Sequence, residues 1–171
     1  MTAATPPDPV ADLLRLALRR LPGPVSLVTT CEPDTKQPAG MVASAVIPVS
    51  MEPPSMLVSV NRSSRMHGVM TRSGKFCINL LGTEQTEYVG LFSTPQRRGD
   101  RFSSSEWRYE DGIPWLPTGL TTIFCELCQS HEFGTHEIFI GRVTDVRGDP
   151  DVEGDPLGWM EGDFARFGRL D

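Results

Sequence analysis

Two long extended segments near the C-terminus are separated by only two residues, and this spacing constrains the fold more than any other feature. Residues 120–133 and 136–148 are rich in β-branched and aromatic side chains, and only Gly134 and Thr135 stand between them. A link this short joins antiparallel strands, whereas parallel strands need a crossover of about a dozen residues or more. We therefore predict a β-hairpin in this part of the chain.

The rest of the chain continues the pattern of short strands joined by turns. Further strands are predicted at residues 25–30, 41–50, 55–61 and 75–82, where turn residues bound each run. No long helices alternate with these strands, so a parallel α/β sheet is disfavoured. We predict a mostly antiparallel β-barrel with peripheral helices.

Three helices are predicted around the barrel. Asp8 can cap the first helix, whose apolar residues recur at helical spacing. The second begins after Ser63 or Ser64 and ends at Gly74, and the third begins at a Thr83 cap.

The length of the chain suits one domain. We assign residues 1–171 to a single domain, with an N-terminal helix within residues 1–22 and a C-terminal tail at residues 150–171. Residues 94–117 and the tail have no clear period and are predicted to be irregular.

Composition disfavours several classes of protein. The formal net charge of -6 argues against a surface for duplex nucleic acid, which needs basic side chains. No run approaches the roughly 18 to 20 apolar residues of a membrane span. Arginines interrupt the N-terminal apolar segment, so it lacks the uncharged core of a signal peptide. We expect a cytoplasmic protein that binds neither nucleic acid nor a membrane.

The cysteines do not predict a disulfide framework or a metal site. Cys125 and Cys128 form a CxxC motif, but residues three apart in a strand point to opposite faces, and no second ligand pair stands at suitable spacing. We therefore expect no metal and a reducing compartment.

The first candidate site is the small-residue segment 40–50. Gly40, Ala43, Ser44 and Ala45 leave backbone groups accessible to a flat heteroaromatic ring. The alternative is a tightly packed barrel strand, where small residues also occur.

The second candidate lies at residues 61–64, where a strand ends and a helix begins. Free N–H groups at a helix N-terminus, two serines and an arginine suit a phosphate. The alternative is an ordinary capping turn with solvated arginines.

Two individual residues, Asn79 and His136, are the remaining candidates for a functional site. Asn79 stands in an apolar strand and needs a hydrogen-bond partner if buried, either a neighbouring loop or a ligand. His136 begins a strand on the same face as Ile138 and Ile140, where it could border an apolar cavity, position a carboxamide or supply a proton. It could equally be structural.

In their order along the chain, the segments GMVASAVIPVSMEPP, FCINLL, GDRF and GTHEIFIGRV resemble the short-chain flavin reductase family. This family supplies the reductase component of two-component flavin-dependent monooxygenases and has the FMN-binding split-barrel fold. The resemblance implies a reductase that takes a hydride from NADH or NADPH and reduces FMN or FAD. It also implies a homodimer and a partner monooxygenase.

The resemblance further implies site residues. The ring of the flavin and its side chain would contact residues 42–46 and Ser50, and the phosphate would contact residues 61–64. Phe76, Cys77 and Asn79 would line the flavin, and in the motif at residues 134–136 His136 would border the nicotinamide as the catalytic residue. The implied cofactor-binding residues are Met41, Val42, Ala43, Ser44, Ala45, Val46, Ser50, Asn61, Arg62, Ser63, Ser64, Phe76, Cys77, Asn79, Gly134 and Thr135.

The chain departs from the family pattern at two places. Thr135 stands where the family has Asp, which keeps an acceptor oxygen but removes the charge, and Trp159, Phe164 and Phe167 stand in a tail where tyrosines are common. Two alternatives therefore stay open: a flavoprotein with tightly bound FMN that reduces another acceptor, and a flavin-binding module without turnover.

Overall fold

A computed structural model describes residues 8–148 and 154–168 and has a mostly antiparallel β architecture with three α-helices, as predicted. The helices are α1 (Pro9–Leu18), α2 (Arg65–Ser73) and α3 (Thr86–Ser93). The first six strands are β1 (Gly23–Pro24), β2 (Ser26–Cys31), β3 (Pro38–Ala43), β4 (Val46–Met51), β5 (Pro54–Asn61) and β6 (Lys75–Leu80). The others are β7 (Arg108–Glu110), β8 (Ile113–Trp115), β9 (Thr121–Phe133), β10 (His136–Arg147), β11 (Leu157–Met160) and β12 (Asp163–Arg166).

Seven strands form one antiparallel sheet in the order β3-β2-β6-β9-β10-β5-β4. The sheet does not close, because β3 and β4 are its two edges. Ala43 at the end of β3 and Val46 at the start of β4 nevertheless pack into the same core, which also contains Phe76 and Phe139. The sheet therefore curls into a split barrel, and residues 44–45 cross from one edge to the other.

Helix α2 closes one side of this core. Ser64 accepts a hydrogen bond from His67 N at 3.2 Å and caps the helix, and Gly74 ends it in the left-handed conformation with φ of 64°. Both ends agree with the sequence prediction. Met66, Val69 and Met70 face the barrel core.

The predicted hairpin is confirmed as β9 and β10. His136 pairs with Phe133 across a loop of two residues, and Gly134 has φ of 57°, which a residue with a side chain rarely adopts. This hairpin occupies the middle of the seven-stranded sheet.

Some sequence predictions were wrong in detail. Residues 41–50 are not one strand, since Ser44 and Ala45 interrupt them and place the two halves on opposite edges. Thr83 does not cap α3; it lies in a short 3₁₀ helix, where Gly82 N bonds the Gln85 side chain at 2.9 Å. The stretch 94–117 contains the small hairpin of β7 and β8.

The part of the tail that the structure describes is also more regular than predicted. Strands β11 and β12 form a hairpin, and β1 pairs with β11 to complete a three-stranded sheet. Because these strands are only two to four residues long, their sequences contain too few alternations to reveal a period.

Helix α1 has the predicted Asp8 cap but no buried residue. Its apolar side chains face outward, among them Val10, Leu13 and Leu14 at 67%, 67% and 55% exposure. In the portion of the chain that the structure describes, no helix has the length and apolar content to cross a membrane.

Candidate functional site

A groove in the described structure has a volume of about 570 Å³, within the range of small-molecule sites. Three elements line it: residues 37–41 leading into and along β3, residues 63–66 at the start of α2, and the residues Arg98, Gly99, Arg101 and Phe102. We call it the arginine groove, because Arg65, Arg98 and Arg101 stand on its walls.

The three arginines of the groove lack acidic partners within the described residues, although the protein as a whole has a net charge of -6. Arg65 donates instead to the Gln37 side chain at 3.1 Å. Burial, and then the neighbouring Arg98 and Arg65 charges, lower the pKa of Arg101. The groove is therefore a site of concentrated positive charge.

Arg101 is the most strongly held of these residues. Its guanidinium donates to Phe92 O at 2.6 Å and Gly40 O at 3.3 Å, and it lies 5.2 Å from the centre of the Phe92 ring. Its Nε is buried and has no hydrogen-bond partner among the described residues. A buried donor of this kind is costly unless a bound group or water satisfies it.

The start of α2 faces the same groove. Asn61 Oδ1 accepts hydrogen bonds from Ser63 N at 2.9 Å and Ser63 Oγ at 2.8 Å, which fixes the turn before the helix. Ser63 and Ser64 both line the groove beside the helix N-terminus. Serine hydroxyls, helix N–H groups and arginines together form an arrangement that suits a phosphate.

Only part of the small-residue segment 40–50 lines the arginine groove. Gly40 and Met41 line the groove, and β3 is an edge strand whose outer backbone groups have no partner strand among the described residues. Ala43 and Val46 point into the core. Val42 and Ser44 face a separate cavity of about 220 Å³ that Trp159 also lines, and Ala45 O accepts from Ser59 N at 3.2 Å.

Ser50 and Arg62 lie away from the groove walls. Ser50 is near the end of β4, where its Oγ accepts a hydrogen bond from Glu52 N at 3.0 Å. Arg62 forms an ion pair with Glu132 at 2.9 Å, and its N donates to Thr135 O at 2.9 Å. Arg62 therefore joins the turn before α2 to the β9–β10 hairpin rather than facing the arginine groove.

Phe76, Cys77 and Asn79 do not line the arginine groove. Phe76 packs in the barrel core with 1% exposure, and Cys77 and Asn79 have none. Burial raises the pKa of the Cys77 thiol. The contact of these three residues with a flavin stays a prediction.

Asn79 instead satisfies the buried backbone around it. Its Nδ2 donates to Leu27 O at 3.1 Å, and its Oδ1 accepts from Leu116 N at 2.8 Å. Thr29 and Thr122 supply two further contacts at 3.2 and 3.4 Å. Of the two roles that the sequence left open, the structure supports the one in which a neighbouring loop satisfies Asn79.

His136 lies on the outer face of the barrel wall. It is exposed, and its Nδ1 contacts Thr135 Oγ1 at 2.9 Å. Ile138 and Ile140 share its face and are half-buried, whereas Phe139 points into the core. Within the described chain His136 does not border an enclosed cavity, although it pairs directly with Asn61 beside the groove.

The two cysteines of the CxxC motif lie on opposite faces of β9, as predicted. Cys125 is buried in the core and Cys128 is exposed. Burial raises the pKa of Cys125 to about 12, so this thiol is protonated at neutral pH. Across residues 8–148 and 154–168, no three His, Cys, Asp or Glu side chains cluster as a metal site.

Sequence reasoning did not select Arg65, Arg98, Arg101, Phe102 and Gln37, which line the groove. The segment GDRF was part of the family resemblance, but its role was unassigned because residues 94–117 had no period. The signal that could have found these residues was the concentration of arginine at residues 97–101 in an acidic chain.

Comparison with known proteins connects this geometry to a family. Residues 18–168 match the model of the flavin reductase like domain. The chain is 35% identical over 138 residues to the reductase component of FADH(2)-dependent resorcinol hydroxylase from Rhizobium sp. strain MTP-10005, and the match covers 80% of this chain and 77% of that protein.

Two further matches have similar extent. The FMN reductase (NADH) RutF of Pseudomonas syringae pv. syringae is 34% identical over 152 residues, which cover 85% of this chain and 84% of that protein. The solved structure of the NADH:FAD oxidoreductase SgcE6 of Streptomyces globisporus C-1027 superposes with a TM-score of 0.82 and 26% identity, covering 100% of this chain and 96% of that one.

Proposed function

The chain belongs to the flavin reductase like family, and on that premise we propose that it is an oxidoreductase that uses NADH to reduce FMN or FAD. The named relatives are NADH-dependent flavin reductases or reductase components. The names of the Pseudomonas relative and of SgcE6 specify NADH, so we propose NADH rather than NADPH as the donor. The reduced flavin would pass to a separate monooxygenase; the Rhizobium relative is named as the reductase component of an FADH(2)-dependent hydroxylase.

The observation that carries the proposal is the set of arginines around the N-terminus of α2, none of which has an acidic partner within the described residues. Arg65, Arg98, Arg101 and the pair Ser63 and Ser64 would hold the phosphate of the flavin. The buried Nε of Arg101 is a donor that an anion could satisfy directly or through water. Charge-assisted hydrogen bonds from arginine to phosphate are among the stronger polar interactions in proteins.

The edge of β3 would support the ring system. Gly40 and Met41 lie in the groove, and the free backbone edge of the strand can donate and accept hydrogen bonds. When bound, the flavin supplies the hydride-accepting chemistry. The protein therefore needs to bind and orient two ring systems, and it needs no acid–base pair or nucleophile of its own.

His136 would act on the nicotinamide side of the site. It is exposed at the start of β10, and Thr135 Oγ1 contacts its Nδ1, so the side chain has Nε2 available for another partner. A neutral Thr135 can orient the imidazole without adding charge. We assign His136 to positioning the nicotinamide or donating a proton, as the family resemblance implies.

Exchange of the flavin is favoured over permanent retention. The groove opens to solvent, since Ser63, Arg65 and Arg98 are all exposed. A flavin held there would be a substrate that leaves after reduction. Desalting the purified protein tests this point: a colourless protein is expected, and a protein that stays yellow would support a tightly bound prosthetic group.

The proposed reaction is tested by measuring NADH oxidation with free FMN. One substitution tests whether the arginine groove binds the flavin phosphate. Arg98→Gln removes an exposed charge and is expected to raise the dissociation constant of FMN by about threefold or more while leaving that of riboflavin unchanged. Arg97→Gln is the matched control, because Arg97 pairs with Asp100 at 3.7 Å and does not line the groove. Absence of FMN-dependent NADH oxidation in the unmodified protein would contradict the proposed reaction.

We further propose a homodimer. The support is the outward apolar surface of α1 together with Trp159 and Phe164, which are 42% and 41% exposed on the adjoining β11–β12 hairpin. Arg19 joins the two elements, since its Nη2 donates to Glu161 O at 2.5 Å. A second copy of the chain is the proposed cover for this surface, because a continuous apolar patch on a soluble domain favours association.

A further inference from the structure

A partly buried pair of side chains joins the proposed phosphate end of the groove to the strand that carries His136. His67 Nε2 lies 2.5 Å from Glu137 Oε2, and the two side chains are only 20% and 10% exposed. His67 is in the first turn of α2 and Glu137 is the second residue of β10. The flavin-reductase resemblance assigned no role to either residue.

Each partner is fixed on its own element. His67 N donates to Ser64 Oγ at 3.2 Å, so His67 holds one of the two serines of the proposed phosphate site. The His67 ring also packs edge-on against Phe139, with 5.7 Å between ring centres. The Ser130 side chain on β9, more than the His67 contact, lowers the pKa of Glu137.

The alternation of β10 explains why the pair can act on both sides of the barrel wall. His136 is exposed on the outer face, and Glu137, the next residue, is directed inward and is 8% exposed. Because the two residues are adjacent, the backbone of β10 links the contact of Glu137 with His67 on the inner face to His136 on the outer face.

We propose that Glu137 is a positioning residue that, through His67, fixes the serine pair at the start of α2 relative to His136. The proposal rests on the function proposed above. Arg62 reinforces the same connection through Glu132 and Thr135 O. Loss of the pair should disturb flavin phosphate binding and hydride transfer together, because one contact holds both ends of the site.

The test compares Glu137→Gln with Glu32→Gln. Arg72 is in the last turn of the same helix, and it donates two hydrogen bonds to the Glu32 carboxylate at 2.8 and 3.1 Å. Glu32→Gln therefore controls for the loss of any carboxylate that contacts α2. The probes are FMN and riboflavin, whose dissociation constants are measured by flavin fluorescence. Their ratio isolates the contribution of the phosphate without requiring turnover.

Glu137→Gln is expected to lower the preference for FMN over riboflavin by about threefold or more. The rate of flavin reduction by NADH at saturating flavin should fall by about tenfold. Glu32→Gln should leave both quantities within about twofold of the unmodified protein. A Glu137→Gln protein that melts at a lower temperature but keeps the ratio and the rate would overturn the positioning role.

A second pair of variants covers the case in which Glu137→Gln does not fold. His67→Gln retains a donor toward Glu137, whereas His67→Leu removes it. The ratio and rate should be largely retained in His67→Gln and lost in His67→Leu, and equal values in the two variants would contradict the proposal. If the unmodified protein does not oxidise NADH with FMN, the proposed function itself fails.

Discussion

His136 is the direct antiparallel partner of Asn61, and this pairing joins the two halves of the proposed site. Asn61 Oδ1 accepts hydrogen bonds from Ser63, so the residue opposite His136 also fixes the turn that begins the proposed phosphate site. Paired residues in antiparallel strands have Cα atoms about 4.5 to 5.5 Å apart. The pairing explains how residues 75 positions apart in the chain contribute to one surface.

Substitution of His136 tests the nicotinamide side alone. His136→Ala is expected to slow flavin reduction by NADH by about tenfold or more, because an orienting or proton-donating group is lost. The dissociation constant of FMN should change by less than about twofold, since His136 does not line the arginine groove. Stopped-flow absorbance measures the first quantity and fluorescence the second.

His131→Ala is the control for that experiment, because His131 is also exposed and lies opposite Ile138 in the same hairpin. It should reduce flavin at the rate of the unmodified protein. Full hydride transfer in His136→Ala would remove His136 from the mechanism.

Substitution of Asn79 tests its assignment to the core. Asn79→Ala leaves the buried Leu27 O and Leu116 N without their side-chain partner. We expect it to lower the free energy of unfolding by roughly 2 to 4 kcal/mol, measured by urea denaturation. FMN affinity under native conditions should be retained. A stable variant with weakened FMN binding would instead restore Asn79 to the flavin site.

The ionisation of Glu137 should make the stability of the folded protein depend on pH. The Ser130 hydrogen bond, then the His67 contact and the nearby Arg62 charge, hold the pKa of Glu137 below its ordinary value. A depressed folded-state pKa gives stability that is present above the unfolded-state pKa of about 4.3 and lost as pH falls through the folded value.

The melting temperature of the unmodified protein should therefore fall more steeply than that of Glu137→Gln between about pH 5.5 and pH 3. Calorimetry across this range measures the difference between the two proteins. A difference that stays constant with pH would show that the carboxylate charge contributes nothing to the folded state.

Substitutions on the apolar surface of α1 test the proposed dimer. Leu13→Gln with Leu14→Gln replaces two side chains that are 67% and 55% exposed in the single chain, so folding should be little affected. If a second copy covers them, the double variant should sediment as a monomer at micromolar concentration, where the unmodified protein sediments as a dimer.

Val146→Gln is the matched control, since Val146 is 58% exposed at the far end of β10. It should leave the sedimentation of the unmodified protein unchanged. A monomeric unmodified protein would contradict the dimer directly.

The predictions from the sequence were accurate where they depended on neighbouring residues. Helix α2 begins after its Ser64 cap and ends at Gly74, and β9 and β10 are antiparallel neighbours because only residues 134–135 link them. The structure of segment 41–50 was less predictable. A sequence that favours an extended backbone does not show whether the segment forms one strand or two strands at opposite edges of a curled sheet. The short strands near Trp159 were missed for lack of residues to alternate.

The sequence by itself therefore determined the three helices, the central hairpin, the antiparallel architecture and the serine turn, since each depends on residues close together in the chain. Tertiary structure alone decided which side chains meet. It buried Asn79 and Cys77 in the core, and it brought Arg98 and Arg101 across from Ser63. The physical reason is that a groove is formed by the curvature of the sheet, and curvature depends on packing between residues distant in sequence.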